Sequence, residues 1–192
     1  MSYRRLFSIL QPKSRVAACR APAWLMVAFM LMATPPGAIR AAEAPVREGA
    51  PAMTVPLVDE DGTSFTMAAL ADGPVLVNFW ATWCAPCIAE LPALGRAAAA
   101  LAGDGVTVLL VSIDRGGAKK AMPFLETHLG SGRDGLRLGF DPRAKLSREM
   151  GVKGLPTSFL LPADQVAAWR FVGPFEWDEP EMLEMIRGLI GE

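Results

Sequence analysis

Two cysteines of the 192-residue chain lie close together in the stretch NFWATWCAPCIAELP, residues 78–92. Cys84 and Cys87 are separated by two residues, Trp83 precedes them, and Glu90 follows the second cysteine by three positions. A Cys-x-x-Cys pair can bind a metal ion, staple a small fold, or exchange electrons by opening and closing a disulfide. Its surroundings in the sequence distinguish between these chemistries.

Too few ligands accompany the pair for a closed metal site. A structural zinc site needs about four nitrogen, sulfur or oxygen ligands. The third cysteine, Cys19, precedes an apolar N-terminal run, so an exported domain would offer only Cys84, Cys87 and the single histidine, His128. We expect His128 to be a polar residue near a helix end rather than a ligand. A purely structural disulfide is also disfavoured, because a domain of this size buries enough apolar surface without one.

The position of the pair favours redox chemistry. Residues 74–80, PVLVNFW, have the continuous apolar character of a strand buried on both faces, and the Ala- and Leu-rich residues 84–102 predict a helix. Cys84 would then be an exposed attacking thiol at the helix N-terminus, where backbone N–H groups stabilise a thiolate and lower the thiol pKa. Cys87, one turn further, would be the buried resolving thiol. Pro86 fits the first turn, where no N–H donor is required.

The remaining elements alternate between strand and helix. A hairpin-like pair spans residues 55–70, with a turn at 59–62. Further strands are predicted at 106–114, 136–141, 157–162 and 166–173, and further helices at 118–129, 142–150 and 178–190. This order predicts one α/β domain over residues 53–192, with a mixed central sheet flanked by helices on both faces.

The N-terminal segment has the composition of an export signal. Residues 1–42 contain six basic residues and no acid, and the apolar run at 21–34 is followed by Pro-Pro-Gly. This run fits a signal peptide better than a membrane span, which needs about 18 apolar residues. We expect residues 1–41 to be a signal peptide or an N-terminal membrane anchor, and residues 42–52, rich in Ala, Pro and Gly, to be a linker. Export would place the cysteines where thiols oxidise.

The charge balance excludes one class of partner. After residue 42 the chain carries 13 basic and 20 acidic residues, a formal net charge of −7. Nucleic-acid binding draws on clustered Lys and Arg side chains. We therefore predict no nucleic-acid partner.

Two motifs resemble a known family. NFWATWCAPC resembles the active site of the thioredoxin superfamily, and WCAPCIAELP resembles that of its exported TlpA/ResA-like branch. The similarity runs from about Val55 to the C-terminus and includes DEDGTSFTMAAL, which resembles the N-terminal β-hairpin of that branch. The resemblance implies a thioredoxin-like fold with this β-hairpin extension. It also implies a redox-active Cys84–Cys87 disulfide, with no other cofactor and no metal.

The second motif of the family is similar to MGVKGLPTSFLL, residues 150–161. In the family its proline, here Pro156, is cis and faces the disulfide, and the backbone just before it pairs with the substrate chain. The resemblance therefore implies substrate binding by Leu155, Pro156 and Thr157. It implies active-site support from Trp83, Pro86, Asn78 and Pro156.

Glu90 has two interpretations. An acid on an Ala-rich helix is usually solvated. Against this, Glu90 follows Cys87 by three residues, so their side chains can meet, and similar exported reductases have an acid here near the active site. Ordinary thioredoxins instead carry a buried Asp at the position of Asn78. We hypothesise that Glu90, not residue 78, exchanges the proton of Cys87, with its pKa raised toward neutrality by partial burial.

The resemblance implies a periplasmic thiol-disulfide oxidoreductase that reduces disulfides of exported proteins, for example apocytochrome c during cytochrome c maturation. A membrane thiol donor of the CcdA/DsbD type would re-reduce it. The uncharged dipeptide Ala85-Pro86 provides no cation for the Cys84 thiolate, which favours a reductase, because a more stable thiolate makes a better oxidant. A disulfide oxidase or isomerase, and a non-catalytic metallochaperone or binding module on the same fold, remain alternatives.

Overall fold

The computed structural model describes residues 45–49, 53–70, 72–133, 135–164 and 166–191. The expected signal peptide or anchor at 1–41 lies outside these ranges and stays a prediction. In the described ranges, no helix combines the length and apolar character required to cross a membrane.

The described residues form eight strands and four helices. The strands are β1 (Val46–Gly49), β2 (Leu57–Val58), β3 (Ser64–Phe65), β4 (Val75–Trp80), β5 (Thr107–Ser112), β6 (Leu136–Phe140), β7 (Thr157–Leu161) and β8 (Ala167–Val172). The helices are α1 (Ala85–Leu101), α2 (Ala118–Leu129), α3 (Lys145–Glu149) and α4 (Pro180–Ile190). Short 3-10 turns occur at Met67–Leu70, Ala102–Asp104 and Gly130–Arg133.

All eight strands belong to one mixed sheet in the order β1-β8-β7-β4-β5-β6-β2-β3. Strands β4, β5 and β6 are parallel, and every other pairing is antiparallel. The carboxyl ends of the three parallel strands therefore meet at one edge of the sheet, which is where open α/β sheets place their sites. The predicted α/β fold with a mixed central sheet and an N-terminal β2–β3 hairpin is confirmed.

Strand β4 is buried along its whole length, as its apolar run predicts. Its side chains alternate between the two faces. Leu76 and Trp80 belong to the apolar cluster that α1, α2 and α4 cover. Val77 and Phe79 belong to the cluster on the other face, which includes residues of the hairpin and of α3. The side chain of Asn78 shares its face with Leu76 and Trp80, so it points towards α1.

Residues 46–49, which we interpreted as part of a linker, form strand β1 at the edge of the sheet. The strand pairs with β8, and polar side chains reinforce the pairing. The Arg170 guanidinium lies 2.6 Å from the Glu48 carboxylate, and the Arg47 guanidinium lies over the Trp169 ring. No residue of β1 is fully buried, so no apolar periodicity marks it in the sequence.

Two helices begin later than predicted. α3 begins at Lys145 rather than at 142, because the Asp141 carboxylate accepts hydrogen bonds from the N–H groups of Lys145 (2.7 Å) and Ser147 (3.1 Å). α4 begins at Pro180 rather than at 178. The Asp178 carboxylate pairs with Arg96 of α1 instead of capping α4.

Candidate active site

Cys84 and Cys87 form a disulfide where the chain leaves β4 and enters α1. Cys84 is the N-cap residue of α1, and its Sγ accepts a hydrogen bond from the Cys87 backbone N–H at 3.3 Å. Pro86 lies in the first turn, as expected. Cys84 is only 6% exposed, which is less than we expected for the attacking thiol. It is still more exposed than Cys87, at 0%. After reduction, the helix N-terminus and this N–H would favour the thiolate form of Cys84.

The segment between β4 and the cysteines is fixed by Asp114, which follows β5 and is 3% exposed. Its carboxylate accepts hydrogen bonds from the Thr82 N–H (2.9 Å), the Thr82 hydroxyl (2.8 Å) and the Ser112 hydroxyl (3.0 Å). Since Thr82 lies two residues before Cys84, these bonds tie the position of the disulfide to the neighbouring parallel strand.

Glu90 is buried, with only 4% of its surface exposed. Its carboxylate accepts three hydrogen bonds. The Asn78 side-chain amide donates to Oε1 at 2.7 Å, and the Phe175 backbone N–H (3.1 Å) and the Trp177 indole N–H (3.2 Å) donate to Oε2. Glu90 lies one helical turn after Cys87, a spacing that puts Cβ atoms roughly 5–6 Å apart. The solvated interpretation of Glu90 is therefore wrong.

Burial raises the pKa of Glu90 from 4.5 to about 7. Removing the carboxylate from water disfavours its charged form, and the nearby charge of Glu176 acts in the same direction. The hydrogen bonds from Asn78, Phe175 and Trp177 oppose this by stabilising the ionised form. The result is a carboxyl group that can gain or lose a proton near neutral pH.

Asn78 connects Glu90 to the central strands. Its Nδ2 also donates to the Ser158 hydroxyl at 2.9 Å, whereas its Oδ1 is buried and has no hydrogen-bond partner within the described ranges. If Glu90 takes up a proton, rotation of the Asn78 amide would offer this Oδ1 as an acceptor for the carboxylic O–H. Asn78 is thus suited to either protonation state of Glu90.

A groove of about 530 Å³ adjoins Cys84 on the other side of the disulfide. It is lined by Trp83, Cys84, Ala85, Pro86, Ile113, Ala144, Ser147, Arg148, Val152, Lys153, Gly154 and Leu155. The Trp83 side chain is 68% exposed beside the groove, as an apolar contact for a bound chain would be.

The second motif borders this groove. The Leu155–Pro156 peptide bond is cis, as the resemblance implies, and Pro156 is buried. No backbone hydrogen bond within the described residues engages Leu155, so its N–H and C=O groups can pair with an extended chain. Thr157 does not line the groove. It is 2% exposed, and its hydroxyl donates to the Gly154 carbonyl at 2.8 Å, which stabilises the turn before the proline.

Potential metal ligands do not converge in the described ranges: no three His, Cys, Asp or Glu side chains there are placed to hold an ion. His128 lies in the last turn of α2, near a helix end as expected. Its ring stacks on that of Phe124 with 3.8 Å between centroids, and its Nδ1 lies 2.8 Å from the Phe124 carbonyl oxygen.

Four residues whose polar groups hydrogen-bond within the site were not predicted from the sequence: Asp114, Ser158, Phe175 (through its backbone N–H) and Trp177. A buried strand that ends in an acid was the available signal for Asp114. Phe175 and Trp177 lie 85 and 87 residues from Glu90, so only the fold brings them to it.

Comparison with known proteins assigns this arrangement to a family. The family model described as Redoxin matches residues 45–186, which is most of the chain. The chain belongs to the Redoxin family. The matched region of this chain contains both cysteines, Glu90 and the cis-proline motif.

Two curated relatives extend this assignment. The Redoxin chain is 38% identical over 115 residues to the thiol:disulfide interchange protein HelX of Rhodobacter capsulatus, covering 59% of this chain and 61% of that protein. It is 34% identical over 115 residues to the thioredoxin of Rhodospirillum rubrum, covering 57% of this chain and 83% of that protein. The chain spans about three fifths of the length of the interchange proteins that it matches.

A solved structure has the same fold. A Chlorobium tepidum protein assigned as the thiol:disulfide interchange protein DsbE matches this Redoxin chain with a TM-score of 0.65 at 28% identity. The match covers 75% of this chain and 98% of that one. The thioredoxin-like fold of the TlpA/ResA-type prediction is therefore confirmed.

Proposed function

We propose that this protein is an exported thiol-disulfide oxidoreductase that reduces disulfides of other proteins through Cys84 and Cys87. One observation carries the proposal. A cysteine pair lies at a helix N-terminus, open to a groove on the Cys84 side, with a buried carboxyl group of pKa about 7 one turn beyond Cys87. The similarity to thiol:disulfide interchange proteins supports the same chemistry.

The first step is an attack by Cys84. Its thiolate attacks one sulfur of a substrate disulfide, so that a mixed disulfide forms and the substrate S–S bond breaks. The other substrate sulfur leaves as a thiolate. Of the two cysteines, Cys84 lines the groove and Cys87 does not, which is why we assign the attack to Cys84 and not to the fully buried Cys87.

The second step is resolution by Cys87. The Cys87 thiol gives its proton to ionised Glu90, and the resulting thiolate attacks the Cys84 sulfur. The mixed disulfide breaks, the substrate leaves as a thiolate, and that thiolate takes up a proton. The substrate has gained two electrons, and the protein is left with the Cys84–Cys87 disulfide found in the structure.

We further propose that the domain works in the periplasm and follows a signal peptide or membrane anchor at residues 1–41. Exported proteins would be its substrates, apocytochrome c among them. A membrane thiol donor of the CcdA/DsbD type would return two electrons to the disulfide. The basic, apolar composition of residues 1–41 and the uncharged Ala85-Pro86 dipeptide support these assignments.

Mixed-disulfide trapping tests the activity. Reduced Cys87→Ser protein is expected to retain substrate proteins through Cys84, because the resolving thiol is missing. The matched Cys84→Ser variant also keeps one cysteine of the pair, Cys87, but its thiol is buried. If Cys84→Ser traps as much substrate as Cys87→Ser, the assigned roles are wrong.

The reduction potential tests the direction of electron flow. Equilibration with glutathione should give a value near that of thioredoxin, about −270 mV, rather than near that of strong oxidants, about −120 mV. A value near the latter would replace the reductase with a disulfide oxidase. Metal bound to the purified protein, with disulfide reduction unaffected in Cys84→Ser, would instead indicate a metallochaperone.

A further inference from the structure

Seven exposed basic side chains lie at the edge of the sheet that carries Cys84. They occur in residues 115–120, which follow β5, and in residues 143–153, which follow β6 and include α3. Because β4, β5 and β6 are parallel, the segments after these strands meet at the same edge. The seven residues, which we call the cationic rim, are Arg115, Lys119, Lys120, Arg143, Lys145, Arg148 and Lys153.

The cationic rim is not neutralised locally. None of its side chains forms a salt bridge with a carboxylate of the described residues. Elsewhere in those ranges, Arg47 lies over the Trp169 ring, and the other arginines are paired with acids: Arg96, Arg133, Arg137, Arg170 and Arg187. Among the described residues, the cations that contact neither an acid nor an aromatic ring are thus concentrated in this rim.

The acids near the rim do not offset it. Asp114 and Asp141 are both 3% exposed and accept hydrogen bonds from neighbouring N–H and hydroxyl groups. Glu149 alone is an exposed acid within residues 113–120 and 141–154. Within the described parts of these two segments, seven exposed cations without a salt bridge therefore accompany one exposed carboxylate.

Two members of the rim line the active-site groove. Arg148 and Lys153 border the same groove as the Cys84 sulfur, together with apolar side chains such as those of Ile113 and Leu155. The Arg148 guanidinium is held against the α3 loop by a 2.8 Å hydrogen bond to the Arg143 carbonyl oxygen. A chain lying in the groove would place its side chains beside both cations.

We propose that this groove selects protein substrates that carry Asp or Glu side chains near the disulfide, and that Arg148 and Lys153 are the residues that select them. The inference rests on the proposed reductase function and names the chemical class of its substrate. Opposite charges across a binding surface steer the partner and fix its orientation. An exposed acid, Glu176, follows Phe175 on the Glu90 side of the disulfide, so a bound acidic segment would be directed to the groove side.

A protein chain fits these observations better than an anionic membrane. A lipid surface would meet the outer cations, but it cannot enter a groove that contains the reactive sulfur. The apolar lining and the unpaired backbone of Leu155 are instead suited to an extended polypeptide. Contacts between exposed charges are weak, so each cation should contribute a factor of roughly 1.5 to 5 in kcat/KM.

The test compares three cystine-containing peptides of identical sequence, with Glu, Gln or Lys at two positions on each side of the disulfide. The reduced protein should turn over the Glu peptide fastest and the Lys peptide slowest, with kcat/KM for Glu roughly 3- to 10-fold above that for Gln. The Glu-to-Gln ratio should fall as salt rises to about 1 M, where the Debye length is about 3 Å. It should approach one in Arg148→Gln/Lys153→Gln.

The matched control is Lys119→Gln, which removes an exposed rim cation on α2 that does not line the groove. It should keep most of the Glu-to-Gln ratio. Equal rates for the three peptides overturn the inference and leave the proposed function intact, whereas failure to reduce any of them overturns both. A ratio that survives in the double variant also overturns it. If the peptide rates are equal and the wild type, but not the double variant, binds phosphatidylglycerol vesicles, the two cations recognise an anionic membrane instead of a protein substrate, and the inference is again overturned.

Discussion

The two sides of the disulfide differ in almost every physical property. On the Cys84 side lies an open groove with apolar walls and two exposed cations, Arg148 and Lys153, which form no salt bridge with the described residues. On the Cys87 side, Glu90 is enclosed by Asn78, Phe175 and Trp177, and its carboxylate accepts hydrogen bonds from all three. One side can receive another chain, and the other can store a proton out of contact with water.

This difference separates two requirements of disulfide exchange. The attacking sulfur must be reachable by a partner, whereas the resolving thiol must lose its proton only when the mixed disulfide has formed. A proton acceptor in contact with solvent would have an ordinary carboxyl pKa, too low to hold a proton near pH 7. Burial of Glu90 raises that pKa to about 7. The buried carboxylate in turn needs the hydrogen bonds from Asn78, Phe175 and Trp177.

Substitutions on the two sides of the disulfide should differ most in their effect on the free energy of unfolding. Glu90→Ala would remove the acceptor of the Trp177 indole N–H, of the partly buried Phe175 N–H and of one N–H of the Asn78 amide, so we expect the free energy of unfolding of the oxidised protein to fall by roughly 3–5 kcal/mol. Arg148→Ala on the groove side should change it by no more than about 0.5 kcal/mol. Urea unfolding at pH 7, with unchanged m-values, checks both. If both variants lost a similar amount of unfolding free energy, the contrast between a buried network on the Glu90 side and an exposed groove on the Cys84 side would be contradicted.

The pH dependence of stability provides the next largest effect. Glu90 binds its proton more tightly in the folded state, with a pKa of about 7, than at its ordinary value of 4.5. Between these values the folded protein holds more protons, so its free energy of unfolding decreases as pH rises. The decrease should be roughly 2–3 kcal/mol.

Glu90→Gln is the control for this pH dependence. It removes the titrating group, so the wild type should lose stability relative to Glu90→Gln as pH rises from about 4.5 to about 7. Parallel profiles for the two proteins across that range would show that Glu90 does not titrate there.

A smaller effect is expected for the amide that links Glu90 to the sheet. Asn78→Leu removes a donor to the ionised carboxylate, so the pKa of Glu90 should rise further. Carbon-detected NMR titration of the Glu90 carboxyl group measures it directly. Ser158→Ala, which affects only the second partner of Asn78, should leave this pKa nearly unchanged. A lower pKa in Asn78→Leu would contradict the role given to the amide.

Local patterns predicted the reactive part of the site. A continuous apolar run specifies β4, and the Ala-rich segment after it specifies α1, so the N-cap position of Cys84 follows from neighbouring residues. The family resemblance added the cis bond before Pro156, which the structure contains, and the hypothesis that Glu90 exchanges the proton of Cys87, which stays a prediction.

What could not be predicted depends on residues far apart in the chain. Phe175 and Trp177 reach Glu90 because β8 and α4 fold back against α1, and no sequence pattern marks them as donors. Strand β1 was missed because none of its residues is fully buried, so it pairs with β8 without an apolar pattern in its sequence. Helix α3 starts late because its N-cap residue is Ala144, and the Asp141 carboxylate, three residues earlier, accepts the hydrogen bonds of the Lys145 and Ser147 N–H groups.

The most direct test of the account measures how fast Cys87 resolves a preformed mixed disulfide on Cys84 between pH 5 and pH 9. The wild-type rate should rise with pH through a transition near 7, where Glu90 becomes able to accept the proton. In Glu90→Gln this transition should disappear, and the rate at pH 7.5 should fall by about 100-fold. An unchanged transition in Glu90→Gln would contradict the assignment of the proton to Glu90.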